Sequence, residues 1–245
     1  MAPRPLTLLL AALPAALLAS LFACQEDNEG LQVTILVDPP SAPPLQDGER
    51  RFTSDLGYQI RLTRGYLSSQ SIDLVACPGA SAPRRRFSWI REAHAHGGST
   101  PTRIGFGRVE SLLAAPGAAF SAGALAPPPG RYCELSLGLR AADEDAEGLP
   151  ADLSVVGETI RLEGLYAPPS GGAEVAFEGV TTASAVAKAT IALELSEEGT
   201  KQATLALGLA TERWFDGVDL ATLSREQIGR AVLQNLSAAA KASQR

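Results

Sequence analysis

Arg131-Tyr132-Cys133-Glu134-Leu135-Ser136-Leu137-Gly138-Leu139-Arg140 carries the clearest strand signature of the chain. Cys133, Leu135, Leu137 and Leu139 alternate with Tyr132, Glu134, Ser136 and Gly138, the period-two pattern of a strand with one face in a core. The alternation predicts Cys133 pointing inward with the leucines. Just before it, Pro127-Pro128-Pro129-Gly130 marks the entry to this strand. Similar short apolar runs occur at 31–37, 57–63, 67–77, 152–166, 174–180, 188–195 and 202–209, separated by clusters such as Asp38-Pro39-Pro40-Ser41 and Pro168-Pro169-Ser170-Gly171-Gly172. In 67–77, Ile72, Leu74 and Ala76 oppose Asp73, Val75 and Cys77; in the last run, Ala203, Leu205, Leu207 and Leu209 share one face. Many short strands with turn signals between them predict a mainly β fold, an antiparallel β-sandwich over residues 31–221.

The C-terminal residues 222–245 read differently. Ser224 and Gln227 form an S-x-x-Q capping box, with Leu223 and Ile228 placed as a hydrophobic staple. Ile228, Ala231, Val232 and Leu236 then fall on one stripe, predicting a helix from about Arg225 to Lys241 that packs on the sandwich.

At the other end, Met1 to Ala23 carries one charge, Arg4, then a Leu/Ala-rich stretch broken by Pro14. It is too short and interrupted for a comfortable membrane span and reads as a signal peptide. Leu21-Phe22-Ala23-Cys24 resembles a bacterial lipobox, which implies that Cys24 is acylated with fatty acid such as palmitate and that cleavage precedes it. Residues 24–30 then form the lipidated cysteine and a polar tether, Gln25-Glu26-Asp27-Asn28-Glu29-Gly30. Gln25, standing where Asp retains enterobacterial lipoproteins in the inner membrane, implies the outer membrane, with the domain facing the periplasm. The partner so implied is the lipid bilayer.

The full chain has 21 basic and 27 acidic residues, and removing Arg4 with the leader makes the balance one charge more negative. That sign argues against nucleic acid as a partner. Arg84-Arg85-Arg86 is the one basic cluster and lacks the interleaved aromatics that stack on bases.

With Cys24 assigned to lipid, Cys77 and Cys133 are left to pair in an oxidising compartment. Such a bridge is worth on the order of 3–4 kcal/mol. The only methionine is Met1, so no thioether ligands are available.

Both histidines lie in Arg91-Glu92-Ala93-His94-Ala95-His96-Gly97-Gly98. On extended chain, positions i and i+2 project to one face, so His94 and His96 can reach one transition metal. Neutral imidazole suits copper, zinc or nickel. A third ligand must come from oxygen: Glu92, Asp55, or Asp143 and Asp145 in the acidic loop Asp143-Glu144-Asp145-Ala146-Glu147. That loop also resembles a shortened oxygen-ligand calcium loop, although a solvated turn is the plainer reading. Trp89 stands five residues before His94, where it can line a site. Core packing is the plainer reading for both Trp89 and Trp214.

No nucleophile elbow, H-E-x-x-H, phosphate-binding glycine loop or dinucleotide fingerprint occurs, and aromatics make up 5% of the chain, poor for a sugar cleft. The expectation is a non-enzymatic protein. The lipobox, the sandwich, an HxH near a tryptophan and the late Trp214-Phe215-Asp216-Gly217-Val218-Asp219-Leu220 segment together resemble the methanobactin-associated copper-binding proteins of bacterial envelopes. The resemblance implies a periplasm-facing sandwich that binds copper through histidines, in some members helped by an oxidised tryptophan, with His94, His96 and Trp89 in those parts. The alternative expectation is a module that docks an envelope protein through a sheet face or the C-terminal helix, with the histidine segment incidental.

Overall fold

The computed structural model describes residues 30–38, 43–79, 98–114, 119–209 and 213–245. These form two sheets with a helix on the larger one. In the smaller sheet, β1 (Gln32–Asp38) lies between β6 (Phe120–Leu125) and β11 (Gln202–Leu209), and β12 (Ala240–Gln244) extends the β11 side. Val33, Ile35 and Val37 of β1 are buried while their neighbours reach toward solvent, and Ala203, Leu205, Leu207 and Leu209 of β11 share the buried face. β1 and β11 run parallel, Gln32 opposite Gln202 through Asp38 opposite Gly208; the other strand pairs are antiparallel.

The larger sheet is organised by β4 (Gln59–Ala76). The sequence suggests two strands here, 57–63 and 67–77, and the structure joins them into one of 18 residues. No proline interrupts the joint, and a register shift between Leu62 and Arg64 absorbs the bend while pairing continues. Gly65 permits it: a Cβ there would stand 3.0 Å from Leu112 Cβ and 3.2 Å from Leu62 Cδ2. The first half of β4 pairs with β3 (Glu49–Thr53) and β8 (Ile160–Ala167), the second half with β5 (Arg103–Ser111) and β7 (Gly130–Leu139). Beyond these lie β2 (Leu45–Gln46), β9 (Val175–Thr181) and β10 (Ala185–Leu195). The strand expected over 152–166 begins only at Ile160, because 152–159 is taken up by turns and by an isolated bridge from Val156 to Ala142.

One core fills the space between the sheets, closed at one end by the 213–220 segment. Trp214, Phe215, Val218 and Leu220 are all buried there. Phe52 meets Trp214 at 5.6 Å and Phe215 at 5.2 Å between ring centroids, and Phe177 stands edge-on to Phe215 at 5.8 Å. The Asn235 side-chain amide donates to the carbonyls of Trp214 and Asp216, both at 2.9 Å, and the Tyr58 hydroxyl donates to Asp219 at 2.5 Å. Core packing is therefore the role of Trp214.

Helix α1 (Arg225–Ala238) starts at the expected capping box, with Ser224 N–H donating to Gln227 Oε1 and Gln227 N–H to Ser224 Oγ. Ile228, Val232, Leu233 and Leu236 are buried. The helix does not continue to Lys241. It ends at Ala238, and Ala240–Gln244 turns back as β12 along β11, Ala240 opposite Leu209 and Gln244 opposite Leu205. The backbone groups on that side of β11 would otherwise lack partners, and pairing them outweighs the last helical turn. The helix assignment over 222–245 is thus corrected to 225–238 plus a strand.

Candidate functional site

Strands β4 and β5 are antiparallel neighbours, with Ile72 opposite Ile104 and Asp73 opposite Arg103. Residues 80–97 connect them. Glu92, His94, His96, Trp89 and Arg84-Arg85-Arg86 all fall in that connection and lie outside the described residues; Cys24, before Gly30, lies outside them too. What is described is the base from which the connection leaves and to which it returns. On the return side, Leu74 N–H donates to Thr102 O at 2.8 Å, and Thr100 and Arg103 exchange backbone bonds. Arg103 also pairs with Asp73 at 3.3 Å.

On the outgoing side, Cys77 and Cys133 form the expected disulfide, with Cα atoms 4.8 Å apart. Cys77 N–H additionally donates to Arg131 O at 2.9 Å. Cys133 does not lie with the leucines in the core as its alternation predicts. Val75 pairs with Glu134 while Ala76 pairs with Tyr132, so Cys133 is the extra residue of a bulge. The bulge turns the larger Tyr132 ring inward, 3% exposed, with its hydroxyl donating to Pro128 O at 2.8 Å. Cys133 is left half-buried at the rim.

Asp73 on β4 and Glu134 on β7 are carboxylates that stand at this base. Directly opposed residues share a face, so the Asp73–Ser136 and Val75–Glu134 pairings put both carboxylates on the sheet's outer side. Arg103 neutralises one, and Lys188 neutralises the other at 3.2 Å. Sequence reasoning passed over both, because nothing local marks a lone acid in a strand as adjacent to a loop base.

The acidic loop occupies a different place. Its backbone bridges onto β5: Val109 N–H donates to Glu147 O and Glu147 N–H to Gly107 O, each at 2.8 Å. Ala146 is buried with Val109, Ala142 and Val155 in a small second core. Glu147 pairs with Arg108 at 3.0 Å, and Asp143 accepts from Gln70 Nε2 at 3.1 Å. From Arg103 to Val109 is six residues of strand, so the loop sits roughly 20 Å along β5 from the disulfide-bound base. Among the described residues no group of three or more His, Cys, Asp or Glu side chains converges as a metal site, so Asp143 and Asp145 form none among themselves and their described neighbours. Asp55, the other carboxylate candidate, accepts from Gly217 N–H at 2.7 Å in the aromatic plug.

Comparison with models of protein families, with curated proteins and with solved structures finds no match to this chain.

Proposed function

We propose that this chain is an extracytoplasmic lipoprotein, held at the outer membrane through acylated Cys24, whose β-sandwich binds a transition metal, copper before zinc, through His94 and His96. The observation that supports it most is that the connection holding both histidines of the sequence leaves β4 beside the Cys77–Cys133 bridge to β7 and returns into β5, which is paired along β4. A segment fixed at both ends loses less conformational entropy on gathering ligands than a free one. The disulfide also fits an oxidising compartment outside the cytosol and keeps sulfur out of the ligand set, leaving imidazole as the preferred donor. Docking a protein partner through α1 has less support, since its apolar stripe is already buried on the sandwich.

Calorimetric titration of the purified protein with Cu(II) and with Zn(II), beside the His94→Ala/His96→Ala double variant, tests the metal reading. Micromolar or tighter binding that the variant loses is expected. No binding, or equal binding by the variant, overturns it.

A further inference from the structure

After the acidic loop, residues 149–156 cross the outer side of the larger sheet between two fixed points. Before them, Val109 N–H donates to Glu147 O and Glu147 N–H to Gly107 O; after them, Ala142 N–H donates to Glu158 O at 2.9 Å. Gly148 and Gly157 take φ of 80° and 81°, a region that favours glycine, and a Cβ on Gly148 would strike Val109 O. From Gly148 to Ser154 no backbone group bonds another among the described residues. The ion pair from Asp152 to Arg64, at 3.4 Å, joins two exposed side chains and holds the segment weakly. What seats it is apolar: Leu149 and Leu153 rest on the small core of Val109, Ala142, Ala146 and Val155.

Underneath, Ser68, Glu158 and Thr159 line a narrow cavity with Tyr66, Val109 and Val155. Ser68 and Thr159 are 2% and 1% exposed, and among the described residues neither hydroxyl has a hydrogen-bond partner. Glu158 Oε2 has none either, although its Oε1 accepts from Arg161 at 2.7 Å. The cavity is too narrow to seat a water molecule as it stands. Unpaired hydroxyls out of reach of water oppose the apolar contacts that bury them, and here that opposing core has four residues.

We propose that residues 149–156 are a lid, turning at Gly148 and Gly157, whose opening admits water to Ser68, Thr159 and Glu158. Closing buries Val155 and strands three oxygens; opening hydrates them at the cost of the apolar contacts. Because the two effects oppose each other, the lid opens well before the strands beneath it separate. Once open, the sheet presents two hydroxyls and a carboxylate oxygen beside Tyr66, a hydrogen-bonding surface that the closed form hides.

Amide hydrogen exchange of the purified protein, followed by NMR, tests the lid. Gly157 N–H, bonded to Ala142 O at 2.8 Å, and Glu158 N–H, bonded to Val155 O at 3.1 Å, keep their partners only while the lid is closed. Ala142 N–H and Glu147 N–H flank it and keep theirs in either state. Protection factors about tenfold or more lower for the first pair than for the second are expected. Equal protection of the two pairs overturns the lid. Ser68→Ala/Thr159→Val removes both hydroxyls with little change of shape and should raise the protection of Gly157 and Glu158 several-fold. Unchanged or lower protection in the variant overturns the part given to the hydroxyls. Thr159→Val alone, the closer match in shape, should show a smaller rise and decides the point if the double variant does not fold.

Discussion

Glu110 is the residue at which folding and protonation are most visibly linked. It lies half-buried on β5 opposite the core residue Leu67, and burial pushes its carboxyl up to about 7 even though the Arg108 guanidinium pulls it down. Arg108 is itself engaged by Glu147 at 3.0 Å and lies 4.1 Å over the Phe120 ring, so it is not free to neutralise Glu110 fully. The folded state therefore binds more protons than the unfolded one between about 4.5 and 7, and stability falls as pH rises through that window. Glu110→Gln removes the titration while keeping the shape. The expected outcome is unchanged denaturant stability near pH 4 and a gain on the order of 1–3 kcal/mol at pH 8, discounted for partial exposure. Parallel urea curves for variant and parent at both pH values check it; an equal offset at both would refute the linkage. Asp219 works in the opposite sense. The Tyr58 and Thr222 hydroxyls that donate to it hold its carboxyl below the usual range, so its contribution is present at neutral pH and is lost as pH falls through that depressed value.

Among the elements, α1 is the one whose seating depends most on a single atom. A Cβ on Gly229 would stand 2.5 Å from Val180 C and 2.6 Å from Val180 N, both backbone atoms of β9 that cannot step aside. Gly229→Ala gains roughly 1 kcal/mol of helix propensity, yet forces the helix off the sheet. A net loss of about 1–2 kcal/mol in urea unfolding is expected, with overpacking the larger effect; a more stable variant would show that the contact relaxes. How far the elements were legible follows from the same contrast between local and distant causes. The capping box and the apolar stripe of α1 are local, so Ser224, Gln227 and Ile228 announce it. β12 is not, because Ala240-Lys241-Ala242-Ser243-Gln244 has no apolar alternation and is a strand only because β11 offers an edge. The pattern of β5 is diluted by Gly105 and Gly107, and the latter lies 3.6 Å, measured from its would-be Cβ, from Ala146 Cα. Arg50 is the sharpest case of a tertiary cause. It reads as a solvated charge, yet it is fully buried, donating to the carbonyls of Pro43, Leu112 and Ala114 from three separate positions along the chain. The candidate site was legible as an inventory of residues, not as a place: spacing identifies His94 and His96, but only strand register shows that Asp73 and Glu134, rather than Asp143 and Asp145, stand at the base of their segment.

At the scale of the whole molecule, the disulfide acts on a sheet that is already well paired. β4 and β7 pair along their length from Ser69–Leu139 to Ala76–Tyr132, with shifts only at Ser69/Ser71 and Val75/Ala76, so the bridge is one link among many between these strands. Its effect falls on the unfolded chain, where it closes a loop spanning a sequence separation of 56, worth about 4 kcal/mol in the loop-entropy treatment. Cys77→Ala/Cys133→Ala should therefore lower the urea midpoint by an amount equivalent to several kcal/mol while leaving the long-wavelength tryptophan band of the folded state's near-ultraviolet circular dichroism intact, since Trp214 packs with Phe52 in the 213–220 segment rather than at the bulge that carries Cys133 and Tyr132. The slope of free energy against urea should rise, because an unlinked unfolded chain exposes more surface. A variant that loses the aromatic dichroism at zero urea would show instead that the bridge holds the native packing together. An unchanged midpoint would show that the β4–β7 pairing persists in the unfolded ensemble and already restricts it. The expected combination, lower stability with an unaltered core, would make the disulfide a clamp on the base of the histidine segment that the rest of the sandwich does not need for its shape.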